Sequence, residues 1–280
     1  MTSCEHSKPP AASCISLEFG LQGPSFSLST ACSSSSDALS IARDLIQKDV
    51  VDSVIVGGSD APLFAPVFSS FCVLRALSKR NDTPEAASRP FDRLRDGFVL
   101  SEGAGVLILE DLECALRRRA HIYGEILGVS STCDAYHITN PDPQGRQAER
   151  ALRLAIQDAG IEPQDIDYIN AHGTSTPLND KIETMVIKRI FGERAKEIPV
   201  SSTKSMIGHT IAAAGALEIC AAILALEKGI IHPTINQEVS DPECDLNYVP
   251  NKAITANPKI ILKNSFGFGG KNAALVIGKI

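Results

Sequence analysis

The sequence predicts an α/β protein built of layered helices and mostly buried sheets. Short apolar runs that end in glycine or in polar residues alternate with amphipathic segments of helical period along most of the 280 residues. The composition, 44% hydrophobic and 21% charged, is that of a globular chain with material for a large core. A strand, a Ser-Thr turn and a helix occur in that order at 28–45 and again at 200–228, which favours a duplicated half-fold.

The elements of the first half follow from periodicity and from glycine and proline. The sequence becomes regular at 15–21, and an apolar, β-prone run with Phe26 and Leu28 leads to a helix that begins next to Cys32. A buried strand is predicted at 52–58, and prolines punctuate the loop-and-helix region that follows it. A second strand with a glycine break, at 98–109, and a short helix at 110–119 complete this half.

The pattern is clearer in the second half, where apolar strands and amphipathic helices alternate regularly. The helix that ends before Gly160 has the residue type expected just beyond a helix C-terminus. We therefore divide the chain into 1–119 and 120–280. The predicted segments are a strand at 123–130, a helix at 147–159, strands at 166–171 and 199–202, helices at 179–191 and 212–228, and strands at 260–263 and 273–277.

Composition excludes several classes of function. The net charge of −6, the absence of Trp and an aromatic content of 5% argue against a nucleic-acid partner. Eight cysteines show neither a C-x-x-C pair nor zinc-finger spacing, so we expect no metal and reduced thiols in a cytosol-like compartment. No apolar run has the length of a membrane span, so we expect a soluble protein of the cytoplasm, or of an organelle if a transit segment lies upstream.

The segment 29–36 (STACSSSS) is the first candidate site. Cys32 falls between the predicted strand and helix, where free backbone N–H groups and the helix dipole favour an anion. We therefore expect a lowered thiol pKa at Cys32 and serine side chains that cap the first turn of the helix. An isolated cysteine in such a turn is more often a buried, inert residue. Two histidines in glycine-rich settings change this interpretation.

Those histidines lie in the second half of the chain. His172 ends a predicted strand in the segment 170–177 (NAHGTSTP), and His209 ends the segment 204–209 (KSMIGH) before an Ala/Gly-rich helix. Each alone is more often a structural residue. Together with Cys32, they match a cysteine nucleophile served by two imidazoles.

Four motifs in this order resemble the β-ketoacyl-[acyl-carrier-protein] synthases, in particular the type II condensing enzymes. The motifs are 30–33 (TACS), 172–177 (HGTSTP), 204–209 (KSMIGH) and 264–270 (NSFGFGG), and the resemblance runs from about residue 21 to the C-terminus. Four separate motifs make it far more specific than one. It implies a thiolase-like fold, layered α/β/α/β/α, in two duplicated half-domains.

The resemblance also implies an acyltransferase activity and a role for each site residue. Cys32 would carry the acyl chain as a thioester, and His172 and His209 would donate Nε2–H to the enolate formed from malonyl-acyl carrier protein. Backbone N–H groups of Cys32 and Phe268 would bind the acyl oxygen. The remaining assignments are the Lys204–Glu218 pair and Asp180 as supporting residues, Phe268 as an acyl gate, and Thr139, Thr174, Thr176 and Phe266 at the pantetheine arm.

Partners and substrates follow from the same resemblance. The substrates would be carried on the phosphopantetheine of acyl carrier protein, with no further cofactor, and the full-length enzyme would be a homodimer. Arg75, Lys79 and Arg80 form a basic group suited to an acidic carrier protein, although a merely solvated surface fits them equally well. Family members usually have other residues at the positions of Asn140 and Lys271.

Only 31 residues precede Cys32, whereas family members have a long stretch before the nucleophile. We therefore expect an N-terminally truncated first half with exposed sheet edges and apolar faces, and low solubility or dependence on a partner. Three alternatives stay open. They are a ketosynthase of polyketide or specialised-lipid synthesis, a catalytically silent subunit that resembles a chain-length factor, and, less favoured, a biosynthetic thiolase.

Overall fold

A computed structural model describes residues 10–280 of the chain. The helices are α1 (Ala11–Phe19), α2 (Ser34–Gln47), α3 (Ala65–Val73), α4 (Leu112–Arg117), α5 (Arg146–Asp158), α6 (Pro177–Phe191), α7 (Lys204–Ile207) and α8 (Ala214–Lys228). The strands are β1 (Ser53–Asp60), β2 (Gly103–Glu110), β3 (Glu125–Cys133), β4 (Tyr168–Asn170), β5 (Val200–Ser201), β6 (Ile230–Ile231), β7 (Ile254–Thr255), β8 (Ile260–Gly267) and β9 (Lys271–Gly278).

The second half is built on a five-stranded mixed sheet in the order β3-β9-β8-β4-β5. β8 and β9 form an antiparallel hairpin, and β4 runs parallel to both β8 and β5. Successive residues of a strand face opposite sides, so Leu262 and Val276 pack with α5 and α6, whereas Ile261 and Leu275 pack with α2 and α8. The sheet is therefore covered by helices on both faces.

The first half contributes a two-stranded antiparallel sheet, β1 with β2. One face packs closely on α2 and α8, because a Cβ placed on Gly105 of β2 would lie 3.0 Å from atoms of Ala216. The opposite face leaves Val106 and Ile108 of β2 57% and 69% exposed, and α1 has no buried residue. The expected exposure of apolar faces is confirmed for these described elements.

Most predicted elements are confirmed within a few residues. The predicted helix at 147–159 is α5, and the one at 179–191 forms most of α6. The predicted strand at 26–28 is wrong, because these residues pair with no strand in the described part of the chain. Similarly, the strand predicted at 98–109 begins only at Gly103; Phe98 and Leu100 each make a single isolated bridge.

The helices and the titratable side chains of residues 10–280 bear on two further classes of function. No helix in that range is long and apolar enough to cross a bilayer. Nor does that range bring three or more His, Cys, Asp or Glu side chains together in a geometry that could bind a metal ion.

Candidate active site

Cys32 lies in a tight turn at the start of α2. A single 3₁₀ turn, Ala31–Ser33, precedes the helix, and Ala31 has a φ of 54°, a left-handed conformation that is costly for a residue with a Cβ. The β8–β9 loop closes over this turn. A Cβ on Gly267 would lie 2.9 Å from the carbonyl oxygen of Thr30 and 3.2 Å from the backbone nitrogen of Cys32. The nucleophile is therefore fixed between a strained turn and a closely packed loop.

The serines after Cys32 do not act as we predicted. Ser33, at the N-cap of α2, makes no side-chain capping bond. Ser35 Oγ instead accepts a hydrogen bond from the backbone N–H of Ala216, 3.0 Å away on α8. The Ser36 and Ser265 hydroxyls lie 2.9 Å apart and join α2 to β8. The serine run therefore binds the nucleophile turn to the other half of the molecule.

His209 lies directly against the nucleophile, with its Nε2 3.2 Å from Cys32 Sγ. The backbone N–H of Ile211 donates to its Nδ1 at 3.2 Å, so the neutral ring carries its proton on Nε2. The backbone of His209 makes two hydrogen bonds. Its N–H donates to the Val99 carbonyl oxygen at 2.7 Å, and its carbonyl oxygen accepts from the Ser101 N–H at 3.0 Å. The ring is thus oriented to donate toward the sulfur.

His172 follows β4 and is held by two charged side chains. Its backbone N–H and that of Gly173 donate to the two carboxylate oxygens of Glu183 at 2.7 and 2.8 Å. The Lys204 ammonium lies 3.2 Å from His172 Nδ1 and donates to the His172 carbonyl at 2.6 Å. The proton of the neutral ring is again placed on Nε2. The ring centroids of His172 and His209 are 5.6 Å apart.

Burial dominates the protonation states of the three groups. Desolvation raises the pKa of Cys32 to about 11, despite the opposing effects of the Lys204 charge and of the backbone N–H of Phe268. The predicted low thiol pKa is therefore wrong. Burial, and next the Lys204 charge, lower the pKa of His172 and that of His209 well below the usual value. Both rings are neutral donors at physiological pH.

A cavity of about 310 Å³ opens onto these groups. Eight of the predicted site residues line it, namely Cys32, Thr139, His172, Thr174, Thr176, His209, Phe266 and Phe268. Of the three threonines expected at the pantetheine arm, Thr174 and Thr176 have their hydroxyls 2.9 Å apart. Asn140 also lines the cavity, whereas the Lys271 ammonium lies outside it, 4.0 Å from Cys133 Sγ. The individual binding roles stay predictions.

Three predicted residues lie behind the cavity rather than on its wall. Lys204 and Glu218 form a fully buried ion pair. Asp180 accepts a hydrogen bond from the backbone N–H of Phe91 at 2.8 Å and lies 3.7 Å from the Arg95 guanidinium. It therefore supports the segment that precedes β2 rather than the reacting groups.

Three residues of the site were not predicted from the sequence. Glu183 binds the backbone at His172, and the edge of the Phe98 ring packs on the His209 ring with centroids 5.1 Å apart. Lys263 lies 2.7 Å from the Glu218 carboxylate. One signal was available, because Lys263 follows the apolar run 260–262 at a position where a buried strand rarely has a charge.

Two family profiles match the chain in sequence order. Residues 2–115 match the N-terminal domain of β-ketoacyl synthases, and residues 123–238 match the C-terminal domain. The chain belongs to the β-ketoacyl synthase family and has the thiolase-like ketosynthase fold that we expected. It is 48% identical over 96% of its length to 3-oxoacyl-[acyl-carrier-protein] synthase 2 of Synechocystis sp.. It is 46% identical over 95% to the protein of that name from Staphylococcus aureus. The chain spans 65% and 64% of these two relatives.

Solved ketosynthases are similar in structure. A type II PKS ketosynthase bound to a hexaketide and in complex with its acyl-carrier protein (AntDE:AntF) superposes with a TM-score of 0.95 at 42% identity, over 96% of this chain and 66% of that one. A β-ketoacyl synthase from Burkholderia phymatum superposes with a TM-score of 0.90 at 38% identity, over 95% of this chain and 64% of that one. The described part of the chain therefore has the backbone arrangement of these ketosynthases.

Proposed function

We propose that the chain acts as a 3-oxoacyl-[acyl-carrier-protein] synthase, an acyltransferase that extends an acyl chain by two carbons through decarboxylative Claisen condensation. One observation carries the proposal. The Cys32 thiol and the Nε2–H groups of the neutral rings of His172 and His209 face one cavity of about 310 Å³. A nucleophile and two donors at one wall are what acyl transfer followed by enolate formation requires.

In the first step, Cys32 Sγ attacks the carbonyl carbon of an acyl thioester. The new S–C bond forms as the bond between the acyl carbon and the pantetheine sulfur breaks, and the thiol proton leaves with the pantetheine thiol. The oxygen of the tetrahedral intermediate binds the backbone N–H groups of Cys32 and Phe268, both of which lower the pKa of the Cys32 thiol against the effect of burial. Because Gly267 has no side chain, the β8–β9 loop approaches the turn at Cys32 closely, and this supports the oxyanion site.

In the second step, the malonyl thioester loses carbon dioxide, and the electron pair of the broken C–C bond forms an enolate. The two Nε2–H groups bind the enolate oxygen. This role suits neutral imidazole rings, and burial keeps both rings neutral. The enolate carbon attacks the acyl carbon on Cys32, the S–C bond breaks, and the sulfur takes up a proton. Since the electrons come from the malonyl group itself, the reaction needs no metal or redox cofactor.

We propose acyl carrier protein as the partner and a second copy of the chain as the other subunit. Arg75 lines the mouth of the cavity close in sequence to Lys79 and Arg80, which suits an acidic carrier. The exposed apolar residues of α1 and α3, such as Phe19 (67%) and Val73 (81%), support an interface between copies. We place the protein in the cytoplasm, because a chain of this size does not need disulfides and reduced thiols suit a reducing compartment.

A polyketide ketosynthase remains the second candidate, since the similar structures include one that holds a hexaketide. The two functions differ in the number of extensions made before the product is released. A silent subunit is less favoured because nucleophile and both imidazoles are present and oriented.

Intact-protein mass spectrometry after mixing the chain with acyl-loaded acyl carrier protein tests the proposal. A mass gain equal to the acyl group, absent from Cys32→Ser, supports a competent nucleophile. Addition of malonyl-acyl carrier protein then separates one extension from several by the mass of the released product. A folded chain that gains no mass at any acyl length would overturn the proposed activity for this chain.

A further inference from the structure

Lys263 places a second ammonium group in the interior behind the active site. It lies on β8, in sequence between Leu262 and Asn264, and is fully buried. Its Nζ is 2.7 Å from Glu218 Oε2 and donates to Ser265 Oγ at 2.8 Å and to the carbonyl of Asn264. Burying a lysine in this position costs free energy of desolvation that only a charged or hydrogen-bonding partner can offset.

Its partner is already engaged by another cation. Glu218 Oε1 accepts a hydrogen bond from Lys204, so one carboxylate lies between two ammonium groups. The nearby Glu183 carboxylate is bound by the backbone N–H groups of His172 and Gly173 and by the Asn264 amide. The cluster of Lys204, Lys263 and Glu218 therefore carries one net positive charge in a medium that screens charge poorly.

The elements packed around β8 present few other charges to this cluster. Lys263 faces the side of the sheet that α2 and α8 cover, and the buried acids of these two helices are Asp37 and Glu218. Asp37 is bound by the hydroxyls of Thr30 and Ser33. The titratable groups near the cluster come from separate elements: Cys32 before α2, Tyr168 of β4, His172 after β4, Glu183 of α6, Lys204 of α7, His209 before α8, Glu218 of α8 and His232 after β6.

We propose that Lys263 is a positioning residue of the condensation reaction. By sharing Glu218 with Lys204, it leaves one net positive charge behind His172 and His209 and keeps both imidazoles in the neutral, Nε2–H donor form. This inference rests on the proposed function. Lys204 alone, fully paired with Glu218, would leave a nearly neutral cluster.

The charges act in the expected direction on both rings. The pKa of His209 is lowered by burial, then by Lys204 and then by Lys263. The pKa of His172 is lowered by burial, then by Lys204 and His209, and then by Lys263. Burial and the Lys204 charge in turn lower the pKa of Lys263, an effect that Glu218 opposes. Since decarboxylation needs the neutral rings, removal of Lys263 raises the pH at which activity is lost on acidification.

The test compares Lys263→Met with the parent chain, with Lys259→Met as the matched control that removes an exposed lysine before the same strand. The rate of carbon dioxide release from malonyl-acyl carrier protein is followed from pH 8 downward until activity is lost, because the pKa of both rings lies well below the usual value. We expect the acid limb of Lys263→Met to move up by about one pH unit, with no movement for Lys259→Met. A rate lowered equally at every pH would overturn the proposal, because lost packing has that effect.

A second measurement does not depend on turnover. Imidazole NMR signals of His172 and His209, assigned by single substitutions, are titrated in parent and variant chains. We expect both rings to protonate at higher pH in Lys263→Met, and unchanged titration would overturn the proposal. If the parent chain is inactive but the titration of both rings still shifts in Lys263→Met, the proposed function is refuted and the role of Lys263 is not. Lys263→Gln, which removes the charge but keeps a hydrogen-bond donor, serves if circular dichroism shows that Lys263→Met does not fold.

Discussion

Gly267→Ala tests how closely the β8–β9 loop must approach the nucleophile. The position does not have a positive φ, so alanine is compatible with the backbone, and only the new methyl group matters. That methyl would lie 2.9 Å from the Thr30 carbonyl oxygen. Ordinary contact begins near 3.4 Å, so the loop and the turn must separate by about 0.5 Å. The backbone N–H of Phe268 then moves away from the Cys32 sulfur.

The size of the effect follows from the loss of one oxyanion donor. Complete loss of such a donor costs about 100- to 1,000-fold in rate, so a displaced one should cost about 10- to 100-fold. Acyl loading of Cys32, followed by intact mass against time, measures it. Gly23→Ala is the matched control, because its methyl would meet only Val51 at an ordinary 3.9 Å. Loading of Gly267→Ala within twofold of the parent would refute the close-approach argument.

Three further predictions concern the groups around the cavity. With a pKa of about 11, Cys32 should react with iodoacetamide about 10-fold more slowly at pH 8 than a small free thiol, and its rate should still rise above pH 9; a plateau below pH 8 would contradict this. His209→Ala should slow carbon dioxide release from malonyl-acyl carrier protein by about 100-fold, and condensation at the parent rate would exclude the two-histidine assignment. Glu183→Gln turns an amide N–H toward a backbone N–H of His172 or Gly173. The lost hydrogen bond should lower the free energy of unfolding by about 2 kcal/mol and with it the melting temperature. An unchanged melting temperature would argue against the hydrogen bonds from these two backbone groups to Glu183.

The sequence alone predicted the reacting groups better than their environment. Four short motifs placed Cys32, His172 and His209 together, because each motif contains both the reactive side chain and the turn that presents it. The pKa of Cys32 could not be predicted from the sequence. The helix terminus lowers the pKa of this thiol and burial raises it. Which effect is larger depends on the β8–β9 loop, which covers the turn although it lies more than 200 residues away in the sequence.

The errors in secondary structure have a related cause. The run with Phe26 and Leu28 has strand propensity, but a strand also needs a neighbour that accepts its hydrogen bonds, and the described residues supply none there. Glu183 was missed because a carboxylate on a helix usually faces solvent. Only the packing of α6 turns it toward the backbone of His172.

The serine run at 33–36 shows why small residues are needed where the two halves meet. A Cβ on Gly58 of β1 would lie 2.7 Å from the Cβ of Ser35, and one on Gly215 of α8 would lie 2.3 Å from the Ser36 hydroxyl. The first turns of α2 and α8 therefore touch through small residues, the serines of α2 with Gly215 and Ala216 of α8. Cys32 and His209 lie just before these turns, so a larger residue at the contact would separate the helix starts and lengthen the 3.2 Å distance between Sγ and Nε2. The serines matter to the chemistry through their size, because they let two helices bring a thiol and an imidazole into contact.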